Sequence, residues 1–131
     1  MNAKFFDLTW DHVHIRTTDV EKTAEWFRQH LGAEVLRTPG RTDLKLGGAN
    51  IFLAPVAEGD QVDAAPSSPY QGLDHFGLSV SNIDELVSRL KLDGVEFSKE
   101  PVTARPGVRA CFIRGPHGIS IELLERNSIY K

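Results

Sequence analysis

From Trp10 the segment WDHVHIR alternates, with Val13 and Ile15 on one side of an extended chain and His12, His14 and Arg16 on the other. Thr18-Asp19 then offers a helix cap, and Val20, Ala24, Phe27 and Leu31 recur at spacings of three and four. Gly32 stands where a helix C-terminus favours a left-handed residue. The same sentence is written again from Leu73. LDHFGLSV alternates, Ser81-Asn82 offers a cap, Ile83, Leu86, Val87 and Leu90 keep helical spacing, and Gly94 closes the segment. Asp11 and His12 match Asp74 and His75, so the chain carries an internal repeat.

A short strand follows each predicted helix, Glu34 to Arg37 in the first copy and Val95 to Ser98 in the second. Hairpins come next: Asp43 to Leu46 and Asn50 to Ala54 around Gly47-Gly48, then Val108 to Ile113 and Ile119 to Leu124 around Gly115-Pro116-His117-Gly118. Each half therefore reads βαβββ, an α+β pattern. Residues 8–56 form the first module and residues 73–125 the second, within one domain spanning 1–131. The Gly, Pro, Ser and acidic content of residues 57–72 marks a linker, and Arg126 to Lys131 reads as a tail of little information.

Composition narrows the class without changing this picture. Hydrophobic residues at 40% and charged residues at 25% are ordinary for a globular chain, which excludes a disordered one. A net charge of −3 with no clustered Lys and Arg argues against a nucleic-acid partner. Apolar runs such as Asn50 to Ala57 are too short to span a bilayer, so no membrane partner is expected. MNAKFFDLTW lacks the features of a secretory signal, and a cytoplasmic protein is expected. Cys111 has no partner cysteine and alternates with strand residues, the pattern of a buried thiol.

The chemistry lies on the polar side of the repeated strands. His12, His14 and Arg16 share the side opposite the helix in the first copy, and His75 holds the place of His12 in the second. In GISIELLER, Ser120, Glu122 and Leu124 share a side, leaving Glu122 flanked by hydrophobic residues. A carboxylate so placed is costly unless it is paired or bound to a cation. Two imidazoles at equivalent positions and one carboxylate make a metal set with open coordination positions, as catalysis requires. The ligands expected are His12, His75 and Glu122.

The segments DHVHIRTTDVEKTAEWFRQHLGAEVL, LDHFGLSV and FIRGPHGISIELLER together resemble the vicinal oxygen chelate superfamily, which includes glyoxalase I, methylmalonyl-CoA epimerase, extradiol dioxygenases and bleomycin-binding proteins. The resemblance covers nearly the whole chain. It implies a glyoxalase-like fold, with the two modules forming a cupped mixed sheet and the helices on its outer face. It also implies one divalent metal ion (Fe, Mn, Co, Ni or Zn), a small-molecule substrate and a homodimer. His12, His75 and Glu122 match the family's metal ligands. Aligning NIFLAP with IELLER puts Ile51 at the family's fourth ligand position, where it offers no lone pair.

That departure leaves three functions open. One is an isomerase, epimerase or lyase that stabilises an enediolate or enolate, with His14 or Glu122 moving the proton. Another is a ring-cleaving dioxygenase with a two-His, one-Glu iron or manganese site. A metal-free binding protein of the bleomycin type is the third. Arg16, Ile51, Leu53, Arg109 and Leu124 are the residues expected at the substrate, while Arg114 reads as a solvated strand residue and His117 as part of a surface turn.

Overall fold

The polar–apolar alternation becomes the first strand, β1 (His12–Thr17), in which Ile15 and Thr17 are buried while His12, His14 and Arg16 are exposed. This computed structural model describes residues 7–131. Residues 1–6, on which the reading of the N-terminus partly rests, lie outside the described residues. The chain divides into two compact units, Met1–Asp60 and Gln61–Lys131.

The first unit continues with α1 (Val20–Leu31), β2 (Glu34–Thr38), β3 (Arg41–Leu46) and β4 (Ala49–Pro55). Asp19 caps α1 by accepting from the Lys22 N–H at 2.9 Å, and Gly32 ends the helix at φ 71°. Ala24 and Phe27 are fully buried. Thr23 is buried with them because its hydroxyl meets that of Thr17 at 2.8 Å, which removes the cost of burying either. The strand order is β1-β4-β3-β2, with β1 parallel to β4 and the other pairs antiparallel. Gly47 and Gly48, at φ 59° and 82°, supply the two left-handed positions of the β3–β4 turn.

The second unit repeats the plan with β5 (Phe76–Ser79), α2 (Ile83–Leu92), β6 (Glu96–Arg105), β7 (Val108–Arg114) and β8 (Ser120–Arg126). Its strand order is β5-β8-β7-β6, again with the first pair parallel. Ile83, Leu90, Cys111, Ile113, Ile121 and Leu123 are fully buried and make its core. Each unit is thus a four-stranded mixed sheet with one helix packed on it, an α+β fold. None of the described helices is long and apolar enough to cross a membrane.

Three details depart from the expected plan. Asn82 does not cap α2 with its side chain; its backbone is left-handed, at φ 55°. Glu125 on β8 takes that role, accepting from the Ile83 N–H at 3.0 Å and from the Tyr130 hydroxyl at 2.8 Å. The strand expected to stop at Ser98 runs on to Arg105 as β6, with irregular pairing around Pro101, which has no N–H to give. The tail is tied down rather than loose: Gly107 donates to the Tyr130 carbonyl at 2.7 Å, and Asn127 donates to the Gly107 carbonyl at 2.9 Å.

Candidate metal-binding site

Both repeated histidines are held by the residue before them. His12 Nδ1 lies 2.7 Å from Asp11 Oδ2, and His75 Nδ1 lies 2.7 Å from Asp74 Oδ2. A carboxylate only accepts, so each bond puts a ring proton on Nδ1 and leaves Nε2 as the nitrogen available to another partner. In metal sites this carboxylate–imidazole pairing fixes the orientation of the ring. The structure thus brings Asp11 and Asp74 into the candidate site. Their signal in the sequence is the Asp that precedes His in both copies.

In the second unit the Nε2 of His75 faces Glu122 Oε1 at 3.3 Å. Glu122 sits on β8 opposite Gly77 of β5 and Phe112 of β7. A methyl group on Gly77 would rest 3.5 Å from Oε1, so the glycine keeps that side of the carboxylate uncovered. Phe112 places its ring edge-on to His75, with centroids 4.9 Å apart. A ring nitrogen and a carboxylate oxygen at this separation share a proton or a cation. The donor chemistry of His75 and Glu122 fits a divalent metal, and His12 is held by its Asp in the same way.

The first unit differs at the matching place. His14 pairs with Phe52 across β1 and β4, as Gly77 pairs with Glu122 across β5 and β8. Phe52, not Ile51, is therefore the register equivalent of Glu122. The sequence alignment slipped by one residue, and one residue moves a side chain to the opposite face of a sheet. His12 stacks on the Phe52 ring at 4.0 Å, the Arg41 guanidinium lies 4.3 Å from the same ring centroid, and Arg41 Nε donates to Asp43 at 2.8 Å. Asp43 pairs with Phe52 as Phe112 pairs with Glu122, so acid and aromatic have exchanged strands between the copies.

The sequence signature of the Glyoxalase/Bleomycin resistance protein/Dioxygenase superfamily matches residues 9–123. The chain belongs to this superfamily. It is 25% identical over 122 residues to lactoylglutathione lyase GLX1 of Arabidopsis thaliana, covering 88% of this chain but only 43% of that protein. This chain thus spans less than half the length of that relative. Lactoylglutathione lyase of Salmonella typhimurium is 25% identical over 121 residues, covering 87% of this chain and 90% of that one. The crystal structure of a glyoxalase family protein from Bacillus cereus superposes with a TM-score of 0.76 at 25% identity, covering 97% and 99% of the two chains.

Among the described residues no three His, Cys, Asp or Glu side chains are grouped closely enough to hold a metal. Of the three expected ligands of this superfamily member, the structure brings His75 and Glu122 together, while His12 belongs to the other unit. His14 and Arg16 share the exposed face of β1 with His12, and the rings of His12 and His14 are 6.2 Å apart. Leu124 shares the Glu122 face and is buried with Val108 and Ala110.

Three expected substrate contacts fall elsewhere. Ile51 and Leu53 lie beside Val13 and Ile15 on the helix-facing side of the first sheet and are buried there, because alternation along β4 turns them away from His12. Arg109 lies on the same side of β7 as buried Cys111 and Ile113, and its Nε donates to Asp84 in the first turn of α2 at 2.8 Å. Arg114, expected in solvent, is half-buried and donates through Nη1 to the Ser68 hydroxyl and the Gly118 carbonyl. Burial pushes the Cys111 thiol up to about 11, as suits a packing residue and not a nucleophile.

Proposed function

We propose that this chain is a metal-dependent enzyme that binds a small substrate through two neighbouring oxygens, with His12, His75 and Glu122 as ligands of one divalent ion. The observation that carries this reading is the Nε2 of His75 standing 3.3 Å from the Glu122 carboxylate while its Nδ1 is held by Asp74. The ion, when bound, would supply Lewis-acid withdrawal of charge from those two oxygens, easing loss of a proton from the adjacent carbon. His14, on the same face of β1 as His12, is the group we assign to take that proton and return it to the neighbouring carbon. Arg16 extends the same face with a planar fork suited to an anionic part of the substrate. The reaction class is isomerase, epimerase or lyase. The name lactoylglutathione lyase borne by the relatives supports it.

A second reading rests on Phe52. With a phenyl ring where the second unit has Glu122, the donor set stops at three, the number that leaves room for a chelating enediol and oxygen in ring-cleaving dioxygenases. Elemental analysis of purified protein tests the shared part of both readings: one metal per site, lost in His12→Ala and Glu122→Ala. Unchanged metal content in both variants removes the assignment. Stoichiometric metal that survives dialysis also counts against a metal-free binding protein. Anaerobic loading with iron followed by oxygen-uptake assays separates the two chemistries, since uptake coupled to ring opening removes the isomerase. We take the assembly to be a homodimer in the cytoplasm, which sedimentation and fractionation check.

A further inference from the structure

One pocket in the second unit belongs to neither the metal ligands nor His14. It has a volume of about 400 Å³ and is lined by Ser67, Ser68, Glu96, Arg114, His117 and Gly118, among others. That volume suits a small molecule. Arg114 and Glu96 are cross-strand partners on β7 and β6, so their side chains leave the sheet on the same face. Opposite charges so placed ordinarily close on each other. Here they do not: the guanidinium spends Nη1 on Ser68 and Gly118, and the Glu96 carboxylate bonds to none of the described residues. Nε and Nη2 of Arg114 likewise make no bond among the described residues, which leaves a two-donor edge of the planar fork unspent on a residue that lines the pocket. His117 lines the wall from a left-handed backbone, at φ 59°, in the turn that also presents Gly118.

A cation with a free two-donor edge and an anion without a partner, held apart across one cavity, match a ligand that carries both charges on adjacent atoms. We infer that this pocket binds an α-amino-acid-type zwitterion, with its carboxylate on Arg114 and its ammonium group toward Glu96. The pocket opens on the sheet face that carries Glu122, because Arg114 and Phe112 alternate along β7 onto the same side and Phe112 opposes Glu122. A zwitterion held there lies on the ligand-bearing face without touching His75 or Glu122.

The test uses the full chain stripped of metal, so that its result does not depend on the metal reading. Backbone amide shifts are followed by NMR during titration with glycine, acetate and methylamine. Glycine is expected to move the amides of Ser68, Gly115 and Gly118 and to bind at least about tenfold more tightly than acetate or methylamine. Arg114→Lys, which keeps the charge and loses the fork, is expected to weaken glycine about tenfold. Arg114 also ties down Ser68 and Gly118, so Glu96→Gln on the exposed wall serves as the second variant. It should bring glycine down to the level of acetate while leaving the spectrum otherwise folded. The proposal is overturned if glycine leaves those amides unmoved, if acetate binds as well as glycine, or if Glu96→Gln does not change their ratio.

Discussion

His75 Nε2 stands 3.3 Å from Glu122 Oε1 with its other ring nitrogen bonded to Asp74, so one imidazole lies between two carboxylates, and His75 and Glu122 both hold donor atoms for the proposed ion. Removing either donor, by His75→Ala or Glu122→Ala, is expected to abolish metal retention on dialysis. Asp74→Ala leaves both ligands in place but frees the imidazole to rotate and to change tautomer. Its expected effect is a loss of about 10- to 100-fold in metal affinity. A chelator-competition titration measures all three, and an Asp74→Ala protein with unaltered affinity would show that the aspartate does not orient a ligand.

The exchange of acid and aromatic between the units gives a sharper test of register. Phe52→Glu restores a carboxylate at the place that Glu122 occupies in the other copy, on a half-buried face beside His12. It is expected to fold and to tighten metal binding by adding a fourth donor. Ile51→Glu drives a charge into the core under α1, where Ile51 is 3% exposed, and should destabilise the unit by about 3 kcal/mol or more. Urea unfolding of the two variants checks the contrast. A stable Ile51→Glu protein would mean that β4 is turned the other way.

That one-residue slip shows where reading the chain stops. The repeated strands and helices were legible because alternation and helical spacing are local, and the two histidines stood out because they recur at one place in a duplicated segment. The partner of His14 across β1 and β4 is set by a pairing between residues 38 apart, 14 and 52, and NIFLAP has apolar letters on both faces to mislead an alignment. Arg109 was more accessible: its alternation with Cys111 and Ile113 already pointed it to the helix side. Glu125 was not accessible, since its partners, the Ile83 N–H and the Tyr130 hydroxyl, come from a helix start and a tail that carry no local signal of meeting.

Glu125 makes stability depend on pH in a stated direction. The N–H of Ile83 first, and then the Tyr130 hydroxyl, hold its carboxyl below the ordinary value of 4.5. A carboxyl whose folded-state pKa is depressed adds stability above its unfolded value, and that addition is lost as pH falls through the folded value. The difference in unfolding free energy between the parent and Glu125→Gln should be constant at neutral pH and shrink in acid, below about 4.5. Urea titrations at a series of pH values measure it. A difference that grew in acid would contradict the helix-capping role of this carboxylate.

Cys111 reports on the integrity of the second core. It is fully buried between Ala110 and Phe112 on β7, and burial first, then the nearby Glu100 charge, raise its thiol to about 11. At pH 8 a thiol of that kind holds about one part in a thousand as thiolate, the form that attacks a disulfide reagent. Reaction with such a reagent should therefore be far slower than for a free thiol and should proceed through opening of the unit. Its rate is then expected to follow the population of the open form, rising in destabilised variants such as Glu125→Gln. Measured over a urea series below the unfolding transition, the logarithm of the rate should climb with denaturant. A rate independent of denaturant and as fast as that of a free thiol would place Cys111 at the surface and leave the burial of this side of β7 without support.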